Sequence, residues 1–332
     1  MTDVLFLRSD ELSGLASPAD YVESVEDGYR SYGTDGSAAP RSKLTNADPP
    51  GMCTGYLAIL PELDAMGGYT YAAGFGDRDV HFALPLFSVE SGRMLALLDG
   101  ASMNPFKTGA TGAVGVDTLA REDATSCAVI GSGAQARGQL KATATVRDFE
   151  TVDVYSPTRA NRESFAADFD ERLDADVEAV GSAGAAVRGA DVVITATRAR
   201  EPVFDGDDLE DGAHVTAMGQ YDTDKRELDT ETVARSVYVP DLRERAFQDA
   251  GAFLTARREG AVDDDHIHAE LGEILAGDRP GRRDPEEVTV FDSGGTGIET
   301  VAAARMLYDR AKAEGLGETI EFAPGSEALT GE

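Results

Sequence analysis

Hydrophobic and polar positions change rhythm part-way along this 332-residue chain. Ser17-Pro18-Ala19-Asp20 predicts a helix start, with a cap, a first-turn proline and an acid at the third helical position. Tyr21, Val22, Val25 and Tyr29 follow at helical spacing, and Gly33 and Gly36 close the segment. Strand-like runs come next, at Tyr56–Leu60, Tyr69–Phe75, Ala83–Phe87 and Met94–Leu98; a hairpin connection, Ser88 to Gly92, joins the last two. Thr108–Ala120, rich in Ala and Gly, predicts a closely packed helix. This part reads as α+β.

From Thr125 strands and helices alternate. Strands are expected at 126–130, 151–155, 176–180, 190–196, 213–218, 236–240 and 288–291, with helices between them, for example over 134–146 and 158–173. That alternation predicts an α/β, doubly wound parallel sheet. A last helix, 300–315, lies beyond the final strand and is expected to pack back on the first part. The predicted organisation is a Rossmann domain over 121–298, inserted in an α+β substrate and dimerisation domain made of 1–120 plus 299–332.

The strand at 126–130 runs into Gly131-Ser132-Gly133-Ala134-Gln135-Ala136 and then into a helical pattern. This is the strand, glycine turn and helix of a dinucleotide-binding βαβ unit. Gly131 permits the tight turn, Gly133 lets backbone approach a pyrophosphate, and Ala136 keeps helix and strand close-packed. The helix N-terminus offers N–H groups and a positive dipole to the phosphates. An acid about 20 residues further on usually binds the ribose 2′-hydroxyl of NAD. Here Tyr155 is followed by Ser156, Thr158 and Arg159, with Arg162 nearby and no acid at the strand end. Ser156, Thr158 and Arg159 suit a 2′-phosphate. NADP(H) is therefore favoured, with NAD(H) open; Arg159 and Arg162 read alternatively as solvated helix residues.

Composition narrows the rest. Acidic residues number 61 against 30 basic ones, a net charge of −31, and only five of the basic residues are lysines. With 42% hydrophobic residues the chain has material for a core, so it is not a disordered acidic protein. Dispersed surface acid on a folded protein predicts a halophilic cytoplasm, where salt screens self-repulsion. No basic patch is present to bind nucleic acid or an anionic membrane. The two cysteines, Cys53 and Cys127, imply no disulfide framework, and Cys127 reads as a small buried hydrophobe. The start lacks a signal-peptide pattern, and no apolar run nears the roughly 18 residues of a membrane span, so a cytoplasmic protein is expected. Asp263 to Glu270 holds metal-ligand types around His266 and His268, but reads as a solvated acidic helix start; no metal is expected. His214 reads as structural.

Several stretches taken together resemble one known family over nearly the full length. They are Pro40-Arg41-Ser-Lys43, the hairpin followed by Leu95-Ala-Leu-Leu-Asp-Gly100, Lys107-Thr-Gly-Ala110, the GSGAQA turn, Gly189 to Thr197, Lys225-Arg-Glu-Leu-Asp229, and Val290-Phe-Asp-Ser293. The chain resembles the ornithine cyclodeaminase/mu-crystallin family. That resemblance implies a homodimer, an inserted Rossmann domain, and hydride exchange between a nicotinamide and the α-carbon of an amino or imino acid. It implies that Arg41 grips the substrate carboxylate, helped by Lys107 in place of a family arginine. It adds Thr108, Thr195, Ala196, Thr197, Met218, Gly219 and Ser293 to the cofactor-binding candidates.

Two positions depart from the family pattern. A family lysine, in a G-x-K-x-x-x-G-F segment, falls on Thr70 counted from Gly68, and a catalytic aspartate falls on Tyr221, with Asp222 one residue off. A phenol can act as a general acid. A site with a donor phenol and no carboxylate suits imine reduction better than amine deprotonation. The expectation is an imino-acid (ketimine) reductase, with Tyr221 as proton donor. Lys43 is a candidate replacement for the lysine, because residues two apart on an extended strand share a face. Ornithine cyclodeaminase, alanine dehydrogenase and a non-catalytic NADPH-binding crystallin remain the alternatives.

Overall fold

The structure, a computed structural model, describes residues 2–77, 79–219, 221–323 and 325–326. It divides into two compact units: residues 1–107 with 296–332, and residues 108–295. The fold is α/β, with a Rossmann-type parallel sheet in a unit inserted between two pieces of an α+β unit.

The first unit contributes β1 (Thr2–Leu7), β2 (Ser37–Ala38), β3 (Ser42–Ala47), β4 (Pro50–Leu60), β5 (Ala65–Ala73), β6 (Ala83–Phe87) and β7 (Met94–Asp99). Its first long helix, α1 (Pro18–Asp35), starts where the sequence predicts. Asp20 N donates to Ser17 Oγ, and the Asp20 carboxylate accepts from Ser17 N in return. The helix runs through Gly33 to Asp35. Helix α2 (Asn104–Leu119) then carries the chain across the boundary between the units.

The inserted unit holds β8 (Ser126–Ile130), α3 (Ala134–Thr143), β9 (Thr151–Tyr155), α4 (Arg159–Asp170), β10 (Asp176–Ala179), β11 (Val192–Thr195), β12 (His214–Met218), β13 (Ser236–Pro240) and β14 (Val288–Ser293). All seven strands are parallel, in the order β10-β9-β8-β11-β12-β14-β13. The order reverses between β8 and β11, the place where doubly wound sheets bind nucleotides. Successive residues of β8 feed opposite cores: Cys127 and Val129 pack with Leu140 and Phe165, Ala128 and Ile130 with Val193 and Val215. Burial on both faces explains why this strand is apolar throughout.

The chain returns to the first unit through α5 (Gly297–Glu314) and β15 (Glu318–Phe322). Helix α5 packs on α1, β4 and β5, as expected from its place beyond the last Rossmann strand. Arg310 on α5 and the Ser17 cap hold the Asp20 carboxyl well below the usual carboxylate range. The sheet order is β15-β1-β7-β6-β5-β4-β2, with β3 also on β4. Leu44 on β3 lies opposite Cys53, and Leu57 and Ile59 follow on the same face of β4. These three are 75%, 60% and 43% exposed, an apolar patch on an otherwise acidic protein.

The unit boundary falls after Lys107 and before Thr296, not at 120/121 and 298/299 as the sequence suggests. The reason is close packing. A Cβ on Gly109 would sit 2.3 Å from the Gly138 carbonyl oxygen, and Gln139 Nε2 donates to Thr108 O at 2.8 Å. The Gly-rich part of α2 thus lies directly on α3 and belongs with the inserted unit. Among the described residues no helix is long and apolar enough to cross a membrane.

Candidate active site

In the inserted unit the predicted turn is built as its residues require. Gly131 has φ +131°, a conformation that L side chains rarely adopt, and a Cβ there would lie 2.5 Å from Ala196 O. Its N–H donates to Tyr155 O, tying the turn to β9. Gly133 caps α3, and a Cβ there would meet nothing within 4 Å. The helix N-terminus therefore opens on free space, where its N–H groups and dipole suit a phosphate. Ala134 and Gln135 begin the helix, and Ala136 is buried beneath it. Ser132 Oγ donates to Ser156 Oγ at 3.0 Å, so the turn and the residue after β9 are joined. Arg162 donates to Ser156 O and stacks over Tyr155. Thr158 and Arg159 are exposed, and Arg159 pairs with Glu163 at 2.6 Å.

Two buried networks, neither foreseen from sequence, hold the other strand ends. Glu227 is 2% exposed and accepts from Thr195 Oγ1 at 3.0 Å and from Thr197 N at 2.6 Å. Burial pushes its carboxyl up to about 7, against those hydrogen bonds. Arg245, equally buried, donates to Asp241 at 2.8 Å and to the Asp292 carbonyl at 2.6 Å, and pairs with the Asp292 carboxylate. Tyr238 donates to the same carboxylate. Ser293 is buried and its hydroxyl donates to Asp241 at 2.8 Å, which makes it a tie at the end of β14. Gly219, at φ +106°, donates to Ser293 O just after the buried Met218. Tyr221 is half-buried in the loop that follows.

The first unit supplies two buried cations against one aromatic wall. Arg41 is 6% exposed, donates to Tyr71 OH at 2.7 Å and lies 5.1 Å from the Tyr56 ring centre. Lys107 Nζ lies 5.4 Å from the Tyr56 ring and 5.5 Å from that of Tyr69. Its ion pair with Glu299, at 3.1 Å, is sealed from solvent. Burial opposes the ammonium charge most strongly of any single influence, but Glu299 and the Tyr56 phenol together outweigh it and the Lys107 pKa moves up. Lys107 therefore sits in the site as a buried, compensated cation, and Arg41 offers the planar fork for a carboxylate.

A model of the ornithine cyclodeaminase/mu-crystallin family matches residues 20–315. The chain belongs to that family. It is 30% identical to the Delta(1)-pyrroline-2-carboxylate reductase of Bacillus cereus, over 96% of this chain and 100% of that one. The solved Thermococcus litoralis Delta(1)-pyrroline-2-carboxylate reductase, in complex with NADH and L-proline, is 32% identical at a TM-score of 0.89, covering 96% and 100% of the two chains. An archaeal alanine dehydrogenase dimer with bound NAD also has a TM-score of 0.89, at 29% identity and 97% and 100% coverage.

Thr70, at the family's lysine position, is exposed, whereas Tyr69 and Tyr71 face the cations. The Gly74-Phe75 pair that closes the family pattern fixes this register. Lys43 does not replace the lysine either. Arg41 precedes β3 and turns inward, while Lys43 lies within that strand and is exposed. His266 and His268 bond the carbonyls of Val233 and Pro280, and among the described residues no group of three His, Cys, Asp or Glu could hold a metal ion. His214 is fully buried between Thr216 and Thr289, and burial lowers its pKa to about 3.

The raised Glu227 pKa gives a pH dependence of known sign. A carboxyl whose folded pKa exceeds its unfolded value stabilises fully below the unfolded value, 4.5, and that contribution fades as pH rises through about 7. Wild type is therefore expected to lose stability relative to Glu227→Gln between pH 5 and 8, by roughly a few kcal/mol. Paired denaturant melts across that range measure it; a difference that does not change with pH contradicts the assignment.

Proposed function

We propose that this chain is a nicotinamide-dependent imino-acid reductase. The observation that carries the reading is that neither acid–base position of the cyclodeaminase pattern keeps its group: Thr70 stands in place of the lysine, and the phenol of Tyr221 in place of the aspartate. Phenols donate protons near neutral pH and do not readily accept them. That suits protonation of an imine nitrogen more than deprotonation of an amine. The named reductase relatives support the same direction.

Arg41 takes the substrate carboxylate in this reading, and the Lys107–Glu299 pair sets the charge behind it. The turn at Gly131 to Ala136 holds the nucleotide. When bound, that nucleotide supplies a hydride for the α-carbon. We favour NADP(H), with Ser156, Thr158 and Arg159 reading the 2′-phosphate once Arg159 leaves Glu163; NAD(H) is the alternative, since the solved relatives carry NADH and NAD. Residues 1–107 and 296–332 serve as the substrate and dimerisation unit, with Leu44, Leu57 and Ile59 meeting a second copy. The dispersed acid fits a halophilic cytoplasm.

In molar KCl, wild type is expected to oxidise NADPH, faster than NADH, only when pyrroline-2-carboxylate or another α-imino acid is added. Arg41→Ala should raise KM by about 30-fold or more, as loss of a charged, partly buried carboxylate contact does. An unchanged KM removes Arg41 from the site. Proline and ammonia formed from ornithine would favour cyclodeaminase chemistry instead, and tight NADPH binding without turnover a crystallin-like role. Sedimentation in the same salt should show a dimer; a monomer contradicts the role given to the β3–β4 patch.

A further inference from the structure

We infer that Glu227 selects the redox state of the nucleotide in this site: ionised, it favours the oxidised, cationic nicotinamide over the neutral reduced one. The inference rests on the nucleotide reading of the Gly131 turn given above. The order of the sheet decides which part of the nucleotide meets Glu227. It reverses between β8 and β11, and a dinucleotide crosses a doubly wound sheet at that place. The glycine turn follows β8, and residues 156–159 follow β9. They suit the pyrophosphate and the adenosine end, so the nicotinamide half falls to the β11–β12 side. Thr195 ends β11 beside Ile130 of β8, and a Cβ on Gly131 would lie 2.5 Å from Ala196 O. Residues 195–197 thus border the turn on the nicotinamide side, and Glu227 is the carboxyl bonded to them.

Glu227 is buried without a cation. It is 2% exposed, and neutral groups bond its oxygens: Thr195 Oγ1 at 3.0 Å, Thr197 N at 2.6 Å and the Thr197 hydroxyl. Among the described residues no guanidinium or ammonium pairs with it. The charged group that faces it is Asp292, at the end of β14, a like charge. That carboxylate already holds Tyr238 at 2.6 Å and Arg245 at 2.8 Å. Burial foremost, and Asp292 after it, push the Glu227 carboxyl up to about 7 against its hydrogen bonds. Such a carboxyl ionises more readily once a positive charge is placed near it. The oxidised nicotinamide ring carries that charge and the reduced ring does not.

Coupling of this kind is reciprocal. A cationic ring that favours the ionised carboxyl is itself favoured by it, by the same factor. Well below pH 7 Glu227 is protonated, and both redox states meet a neutral group. As pH rises through about 7 it ionises, and the oxidised nucleotide gains affinity relative to the reduced one. Binding of the oxidised form then releases a proton from Glu227 to water, and no bond to the nucleotide is made. The phosphate charges are common to both redox states and cancel in the ratio of their affinities. In imino-acid reduction the departing hydride leaves the ring positive, so the ionised carboxyl eases that departure.

The dissociation constants of NADP+ and NADPH, measured by calorimetry in molar KCl without imino acid, test this. Between pH 6 and 8.5 the ratio Kd(NADPH)/Kd(NADP+) is expected to rise about fivefold in the wild type. In Glu227→Gln, which keeps the size and cannot ionise, it should stay constant within about twofold. A flat wild-type ratio overturns the inference, as does a rise that persists in the variant. The wild type also answers alone, whether or not the variant folds. At pH 7, titrations in buffers of different ionisation heat should show NADP+ releasing about 0.4 proton more than NADPH; equal proton counts overturn the inference. A protein that binds both nucleotides at a ratio independent of pH fails this inference and leaves the nucleotide reading standing. One that binds neither fails that reading, and this inference with it.

Discussion

The buried ion pair between Lys107 and Glu299 is the contact on which the first unit depends. Lys107 is the last residue before the chain leaves that unit, and Glu299 lies in the first turn of α5, just after it returns. Glu299 also accepts from Thr296 N and Oγ1, so one carboxylate closes the helix start and holds the departing helix. Breaking one member of such a pair leaves a charge buried without compensation, a cost of several kcal/mol. An insertion of nearly two hundred residues is thus fastened at both of its ends by one pair, 3.1 Å long. The same pair compensates the charge of Lys107 beside the aromatic wall that Arg41 also meets.

Charge is distributed in two regimes. The surface carries most of a formal −31, the excess of acids over bases, and pairs such as Arg159 with Glu163 are exposed and contribute little individually. Several of the buried charges among the described residues are tied to strand ends or a helix start. Arg245 joins the ends of β13 and β14 through Asp241 and Asp292, and Glu227 fixes the Thr195–Thr197 segment after β11. Salt screens the first regime strongly and the second weakly.

What the sequence made legible was local chemistry. The glycine turn, the seven parallel strands and the Ser17 cap were readable because their signals lie within a few residues of each other. The short exposed β3, and β1 and β15, which pair with each other at one end of the sheet, carried no comparable pattern and were missed. Arg41 was singled out through family resemblance; that it is buried was not legible in its neighbourhood. That Tyr69 and Tyr71, the neighbours of Thr70, face the cations was not legible, because only the two faces of the folded strand show it. Glu227, Arg245 and Glu299 escaped notice because nothing in a charged residue's own neighbourhood says that it is buried. Their partners lie 32, 47 and 192 residues away in sequence.

The claim that the α-carbon of an imino acid receives the hydride is tested most directly by isotope placement. Pyrroline-2-carboxylate would be reduced in molar KCl with NADPH deuterated at its transferable position, and the product read by mass spectrometry and NMR. The account predicts proline with one deuterium, on the α-carbon. Proline without deuterium there, or no proline at all from a protein that binds the nucleotide, would contradict it.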